Sequence, residues 1–128
     1  MKIFWGEIDH IQLCVPQDGL EVARQFYLHL LGFQEVDKPD SLKGNGGFWC
    51  EAGEISLHIG VEKHSPLLSK RHPAFIVQNL KNVRDYLHEN GIQVYEETPI
   101  PKVERFSIRD PFGNRIELLE YTLTTNSS

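Results

Sequence analysis

The chain has no basic block, no long apolar run and only two cysteines, and each of these shortages excludes something. Thirteen Lys and Arg are outnumbered by eighteen Asp and Glu, leaving a formal charge of -5. With no cationic stripe to neutralise phosphates, nucleic acid and anionic membrane surfaces are poor partners. Apolar stretches such as Ala74 to Val77 fall far short of the ~20 residues that span a bilayer, so no membrane segment is expected. The N-terminus carries one Lys, a short apolar patch (Ile3, Phe4, Trp5) and then Glu7 and Asp9. That pattern lacks the apolar core of a secretory signal, and a soluble, cytoplasmic protein is expected. Cys14 and Cys50 lie inside apolar, strand-like runs rather than in turns. They read as reduced, mostly buried thiols and not as a disulfide framework.

What is present is a pattern that occurs twice. At 128 residues the chain suits one domain, or two half-size units sharing a core. Ile8 to Val15 alternates, with Ile11, Leu13 and Val15 on one face and His10, Gln12 and Cys14 on the other, which predicts a strand. Leu20, Ala23, Phe26, Tyr27, Leu30 and Leu31 then recur at helical spacing, and Gly32 stands where a helix cap is expected. Phe33 to Val36 reads as a strand and Lys38 to Gly46 as a loop. Gly47 to Glu51 and Glu54 to Val61 read as a hairpin turning at Ala52 and Gly53.

After a polar linker the order repeats. His72 to Val77 reads as a strand, Leu80, Val83 and Leu87 mark a helix ending at Gly91, and Ile92 to Glu96 is a second strand. Val103 to Arg109 and Arg115 to Tyr121 form a hairpin around the turn-forming run Asp110 to Asn114. The expected fold is therefore α+β: two βαβββ modules forming an open, incompletely closed barrel-like cleft in a single domain. Module one spans about 8–62, the linker 63–71, module two about 72–121, and a polar tail 122–128. Neither module of roughly 55 residues buries a good core alone, so the two must pack or share. The residues that face the helices (Ile11, Leu13, Leu57, Ile59, Phe75, Val77, Phe106, Ile108, Ile116, Leu118) are apolar, and the opposite faces are polar.

Superimposing the modules places His10 on His72, each on a first strand, and His58 on Glu117, each on a last strand. By alternation all four point away from their helices. A single strand histidine is more often a hydrogen-bonded residue than a ligand. Four ligand-type side chains at equivalent positions point instead to a divalent metal, of which Zn, Ni, Mn and Fe(II) accept imidazole and carboxylate. Gln12, Trp49, Arg105 and Ser107 are further candidates on the polar faces, for substrate binding. Arg105 has a competing use in a structural ion pair with nearby acids, and Trp49 in burial within its hairpin. His29 and His88 on helices, His64 in the linker, and Lys38 and Lys43 beside the first loop read as surface groups. Gly44, Gly46 and Gly47 are followed by neither a helix start nor Lys-Ser or Lys-Thr, which excludes a P-loop.

The motifs DHIQL, LLGF, LHIGVE, HPAF and RDPFGNRIELLE, in this order over about residues 8–121, resemble the glyoxalase/bleomycin-resistance/extradiol-dioxygenase superfamily, with its vicinal oxygen chelate fold. The resemblance implies metal ligands at His10, His58, His72 and Glu117. It also implies a small-molecule enzyme of lyase, isomerase, thiol transferase or dioxygenase type that chelates adjacent substrate oxygens on the ion. Glyoxalase I typically has Glu where this chain has His58. Without His58, the set His10, His72 and Glu117 resembles the two-His-one-carboxylate site of extradiol dioxygenases and fosfomycin-resistance thiol transferases. Extradiol dioxygenases are usually longer, and the transferases carry a potassium loop not found in this sequence. A metal-free binding protein, as in the bleomycin-resistance branch, is the alternative, but it has no need of four ligand-type residues in register. The open polar faces and the superfamily's habit of pairing modules from two chains lead to the expectation of a homodimer. Glu117 is the expected catalytic proton acceptor.

Overall fold

A computed structural model describes residues 1–63 and 68–122. His64 and the end of the polar tail lie outside the described residues. The chain divides into two compact units, Met1–Pro66 and Leu67–Ser128.

In the first unit, strands β1 (Ile11–Val15), β2 (Gln34–Val36), β3 (Phe48–Ala52) and β4 (Ile55–Val61) form one sheet in the order β1-β4-β3-β2. In the second, β5 (Ala74–Ile76), β6 (Tyr95–Glu96), β7 (Val103–Arg109) and β8 (Arg115–Tyr121) repeat that order as β5-β8-β7-β6. In each sheet the first strand pairs parallel to the last and the other pairings are antiparallel. Both sheets are open, and the α+β class is as expected. The expected strands are longer than the observed ones, which begin at Ile11, Ala74 and Tyr95 instead of Ile8, His72 and Ile92. Apolar alternation extends past the residues that find a ladder partner.

The register shows why the repeat is legible. Gln12 pairs with His58 as Ala74 pairs with Glu117, and Trp49 faces His58 as Ser107 faces Glu117. On the other face of each sheet, Val15, Phe48, Leu57 and Ile59, or Phe106, Ile108, Ile116 and Leu118, are buried. The helices lie over these faces, and an arginine ties each one down. Arg24 from α1 (Leu20–Arg24) sits 4.5 Å over the Phe48 ring and pairs with Glu35. Arg84 from α2 (Leu80–Glu89) sits 4.8 Å over Phe106 and pairs with Glu96. Each arginine stem thus covers the edge of the core while its charge is answered twice.

The first helix departs from the simple helical expectation. Beyond α1 it widens into a π-helical turn over Gln25–Leu30, closed by Leu31 N–H donating to Phe26 O at 2.9 Å. Phe26 and Tyr27, adjacent in sequence, are both buried there. The second helix starts at Asn79, whose side chain makes no cap. The Glu120 carboxylate on β8 accepts from Asn79 N at 3.0 Å and Leu80 N at 2.9 Å in its place, so the strand caps the helix packed upon it.

The loop before β3 is held by its glycines. A Cβ on Gly47, whose φ is +78°, would lie 2.1 Å from the Ile59 carbonyl oxygen, a backbone atom of the neighbouring strand. Gly47→Ala is expected to lower stability by about 2 kcal/mol or more, read as a shift of the urea midpoint with an unchanged slope.

Cys50 is 1% exposed and Cys14 is partly buried. Burial, and secondarily the nearby Glu35, pushes the Cys50 thiol up to about 12. The reactive thiolate is therefore suppressed at pH 8. Cys50 should resist iodoacetamide in the folded protein and react once the chain is unfolded, as followed by intact mass. The sign of the linkage follows: the unfolded thiol ionises near 9.0 while the folded one keeps its proton to about 12. Stability contributed by this group is lost as pH rises above about 9.

Candidate functional site

Each unit brings two of the four candidate ligands together on its polar face. In the first unit, His10 sits just before β1, not within it. Its Nδ1 lies 2.8 Å from Asp9 Oδ2, which leaves Nε2 as the outward nitrogen. Its ring stacks on His58 with centroids 3.9 Å apart and planes 15° from parallel. Trp49, the cross-strand partner of His58, stacks on that ring at 3.9 Å and 5°. Burial, with His10 close by, lowers the His58 pKa below the ordinary value, a shift that favours the neutral ring, which has one nitrogen lone pair to offer.

These rings line a cavity of about 810 Å³ formed within the first unit, together with Gln12, Lys38 and Glu51. That volume suits a small organic molecule. Lys38 is not the free surface charge the sequence suggests. Its ammonium donates to the Gly46 carbonyl oxygen at 2.6 Å and holds the loop at the cavity edge. Lys43 is exposed and pairs with Asp40 at 3.0 Å.

In the second unit, His72 lies two residues before β5 instead of on it, and Glu117 is buried at 5% exposure on β8. His72 Nδ1 is 2.9 Å from the Lys70 carbonyl oxygen. A carbonyl only accepts, so Nδ1 carries a proton. Nε2 faces Glu117 Oε1 at 3.2 Å, a contact closed either by a proton on Nε2, as an ion pair, or by a cation between the two atoms. Two ligand atoms each about 2.1 Å from one ion and this far apart subtend roughly 100°, a normal angle between neighbouring ligands. The pair fits a divalent cation in donor type and spacing.

Arg105 fixes the other carboxylate oxygen. Its Nη1 donates to Glu117 Oε2 at 3.1 Å, while Nε and Nη2 both donate to Thr98 O, at 3.1 and 2.9 Å. The guanidinium is thus engaged with the protein itself, in the ion pair weighed against substrate contact. Ser107, 3% exposed, interacts through its hydroxyl with the Glu97 carboxylate. That hydroxyl, together with the Arg115 guanidinium 2.7 Å away, holds the Glu97 carboxyl below the usual range against the opposing effect of burial. Asp9, Thr98, Glu97 and the Lys70 carbonyl were not singled out from sequence. Only Asp9, adjacent to a candidate ligand, carried a signal that could have identified it. Among the described residues, no group of three or more His, Cys, Asp or Glu is gathered at metal-holding distance. No helix of the described residues is long and apolar enough to cross a membrane.

Comparisons with known proteins bear on this arrangement. No curated protein matches the chain. Among solved structures, a Bacillus anthracis protein assigned to the glyoxalase family is 39% identical, with a TM-score of 0.88 over 95% of this chain and 100% of that one. A glyoxalase/dioxygenase from Nostoc punctiforme is 22% identical, with a TM-score of 0.76 over 91% of this chain and 92% of its own. The genomically encoded fosfomycin resistance protein FosX from Listeria monocytogenes, complexed with Mn(II) and sulfate, is 16% identical, with a TM-score of 0.74 over 94% of each chain. The last two likenesses concern the fold alone. The model of the Glyoxalase/Bleomycin resistance protein/Dioxygenase superfamily matches residues 7–118, and the chain belongs to that superfamily.

Proposed function

We propose that this chain is a metal-dependent enzyme acting on a small molecule with adjacent oxygens, which it holds on a divalent ion (Zn, Ni, Mn or Fe(II)). The proposed ligands are His72 and Glu117 with His10 and His58, in one glyoxalase-like domain that works as a homodimer. The observation that carries this reading is His72 Nε2 set 3.2 Å from a buried carboxylate oxygen, with Nδ1 turned to the Lys70 carbonyl. A bound divalent ion supplies Lewis-acid stabilisation of negative charge developing on substrate oxygen.

The remaining chemistry belongs to the side chains. Arg105 anchors Glu117 through Oε2, so that Oε1, beside His72, is both the proposed ligand atom and, when it is not holding the ion, the oxygen that takes up a substrate proton. Because Arg105 is itself held by the Thr98 carbonyl, the carboxylate cannot swing away when its charge changes. Asp9 orients His10 in the same manner that the Lys70 carbonyl orients His72. Trp49, Gln12 and Ser107 stand on the same faces as the proposed ligands. The cavity in the first unit provides room for the organic part of the substrate.

A panel of α-keto hemithioacetals, catechols and epoxides, assayed with several divalent ions and with chelator, tests the proposal. Turnover that appears with an ion and disappears with chelator is expected. Ligand binding without turnover, indifferent to metal, would overturn it in favour of a sequestering protein of the bleomycin-resistance kind.

A further inference from the structure

We infer that the arm formed by residues 1–10 is an interaction surface for a second copy of this chain, exchanged so that each arm lies along the free edge of β5 in the other copy; the inference rests on the proposed homodimer. The arm is exposed throughout and belongs to no helix or strand. It nevertheless carries Ile3, Phe4, Trp5 and Ile8, which are 54%, 87%, 85% and 78% exposed. Because Ile3, Phe4 and Trp5 are consecutive, the arm is apolar on both faces when extended, the pattern of a strand covered from two sides. A contiguous apolar segment left in water marks a contact surface.

The receiving surface follows from the sheets. Their edge strands are β1 and β2 in the first and β5 and β6 in the second. Of β1 only Gln12 is exposed, and β2 exposes Gln34 and Glu35. The two-residue β6 has its Glu96 paired to Arg84. Among these described edges, β5 alone exposes a large aliphatic side chain, Ile76 at 64%. An apolar edge strand is where another strand adds. Since the arm and Ile76 are both exposed on the single chain, what covers them comes from another molecule.

Area and charge select a second copy as that molecule. Phe4 and Trp5 of one arm offer roughly 300–400 Å². With a matching area from the receiving surface, one arm on an unrelated protein buries about 600–800 Å², no more than a packing contact, whereas two arms exchanged about a two-fold axis bury about 1,200–1,600 Å², as stable interfaces do. An anionic lipid surface fits less well, because Lys2 faces Glu7 and Asp9 within the arm and the chain carries a charge of -5. The arm leads directly into Asp9 and His10, which line the cavity of the first unit, so a partner that holds the arm also holds that wall.

The test follows the dimer by light scattering over a range of protein concentrations. Phe4→Ser with Trp5→Ser, in a protein whose circular dichroism matches the parent, should weaken the dimer at least about 100-fold, as expected when aromatic anchors are lost from both arms. Ile76→Glu should weaken it similarly from the receiving side. In a Trp49→Phe background Trp5 is the sole tryptophan, and its emission should be shielded from acrylamide in the dimer and become quenchable on dilution. A parent-like dimer in either folded variant, or Trp5 open to acrylamide within the dimer, would overturn the inference and leave the homodimer standing. A parent that stays monomeric throughout would overturn both. Trp5 shielded only when phosphatidylserine vesicles are added would overturn the inference in favour of a lipid surface.

Discussion

Glu117→Gln is expected to reduce turnover by about 100- to 10,000-fold, the usual contribution of a general base, with metal binding surviving better than catalysis. The substitution keeps the size of the side chain and one oxygen donor. It removes the charge that Arg105 answers at 3.1 Å and the basic oxygen beside His72. The consequences can be separated by experiment. A loss of metal affinity reports the ligand role, and a fall in turnover at saturating metal and substrate reports the proton-accepting role. Arg105→Lys offers an intermediate case, because a lysine keeps a positive charge but cannot bond Glu117 and the Thr98 carbonyl with a planar fork. Unchanged turnover in Glu117→Gln at saturating metal would remove the carboxylate from the mechanism.

His72→Ala should have the largest effect on metal affinity, exceeding the roughly 10- to 100-fold cost of losing a group that only orients a ligand. The reason is structural as well as chemical. Removing the imidazole takes away the donor atom that faces Glu117 and leaves a buried carboxylate paired with Arg105 alone. His72→Gln, which keeps a polar side chain of similar reach, should not recover the affinity. Direct titration with Zn(II) or Mn(II), alongside a thermal melt to show that the fold is intact, reads the effect. Parent-like affinity in a folded His72→Ala protein would mean that the ligand set is misassigned.

Much of this arrangement could be read in the sequence, for identifiable physical reasons. Strand alternation and helix periodicity are properties of consecutive residues, and the same order of elements occurs twice. The pairing of Gln12 with His58 and of Ala74 with Glu117 then follows from the repeat, and with it the grouping of ligand-type side chains. What the sequence hid depends on contacts between distant residues or on backbone atoms. The Lys70 carbonyl that holds His72 Nδ1 has no side-chain signature. Neither does the Ile59 carbonyl that makes Gly47 irreplaceable. Arg24 and Arg84 look like ordinary exposed helix charges until Phe48 and Phe106 arrive beneath them. Lys38 reads as solvated because nothing local announces its bond to Gly46. The expected strands run past the observed ends at His10 and His72 because apolar alternation continues into residues that lack a ladder partner.

The most direct test of the central claim is the stoichiometry of metal bound by protein purified without an affinity tag, stripped by chelator and re-equilibrated by dialysis against Zn(II), Ni(II), Mn(II) or Fe(II). One ion per chain, lost together with His72 Nε2 or Glu117 Oε1 on substitution, is the predicted result. No bound ion at any of the four metals, or an ion retained in full when both residues are replaced, would contradict it.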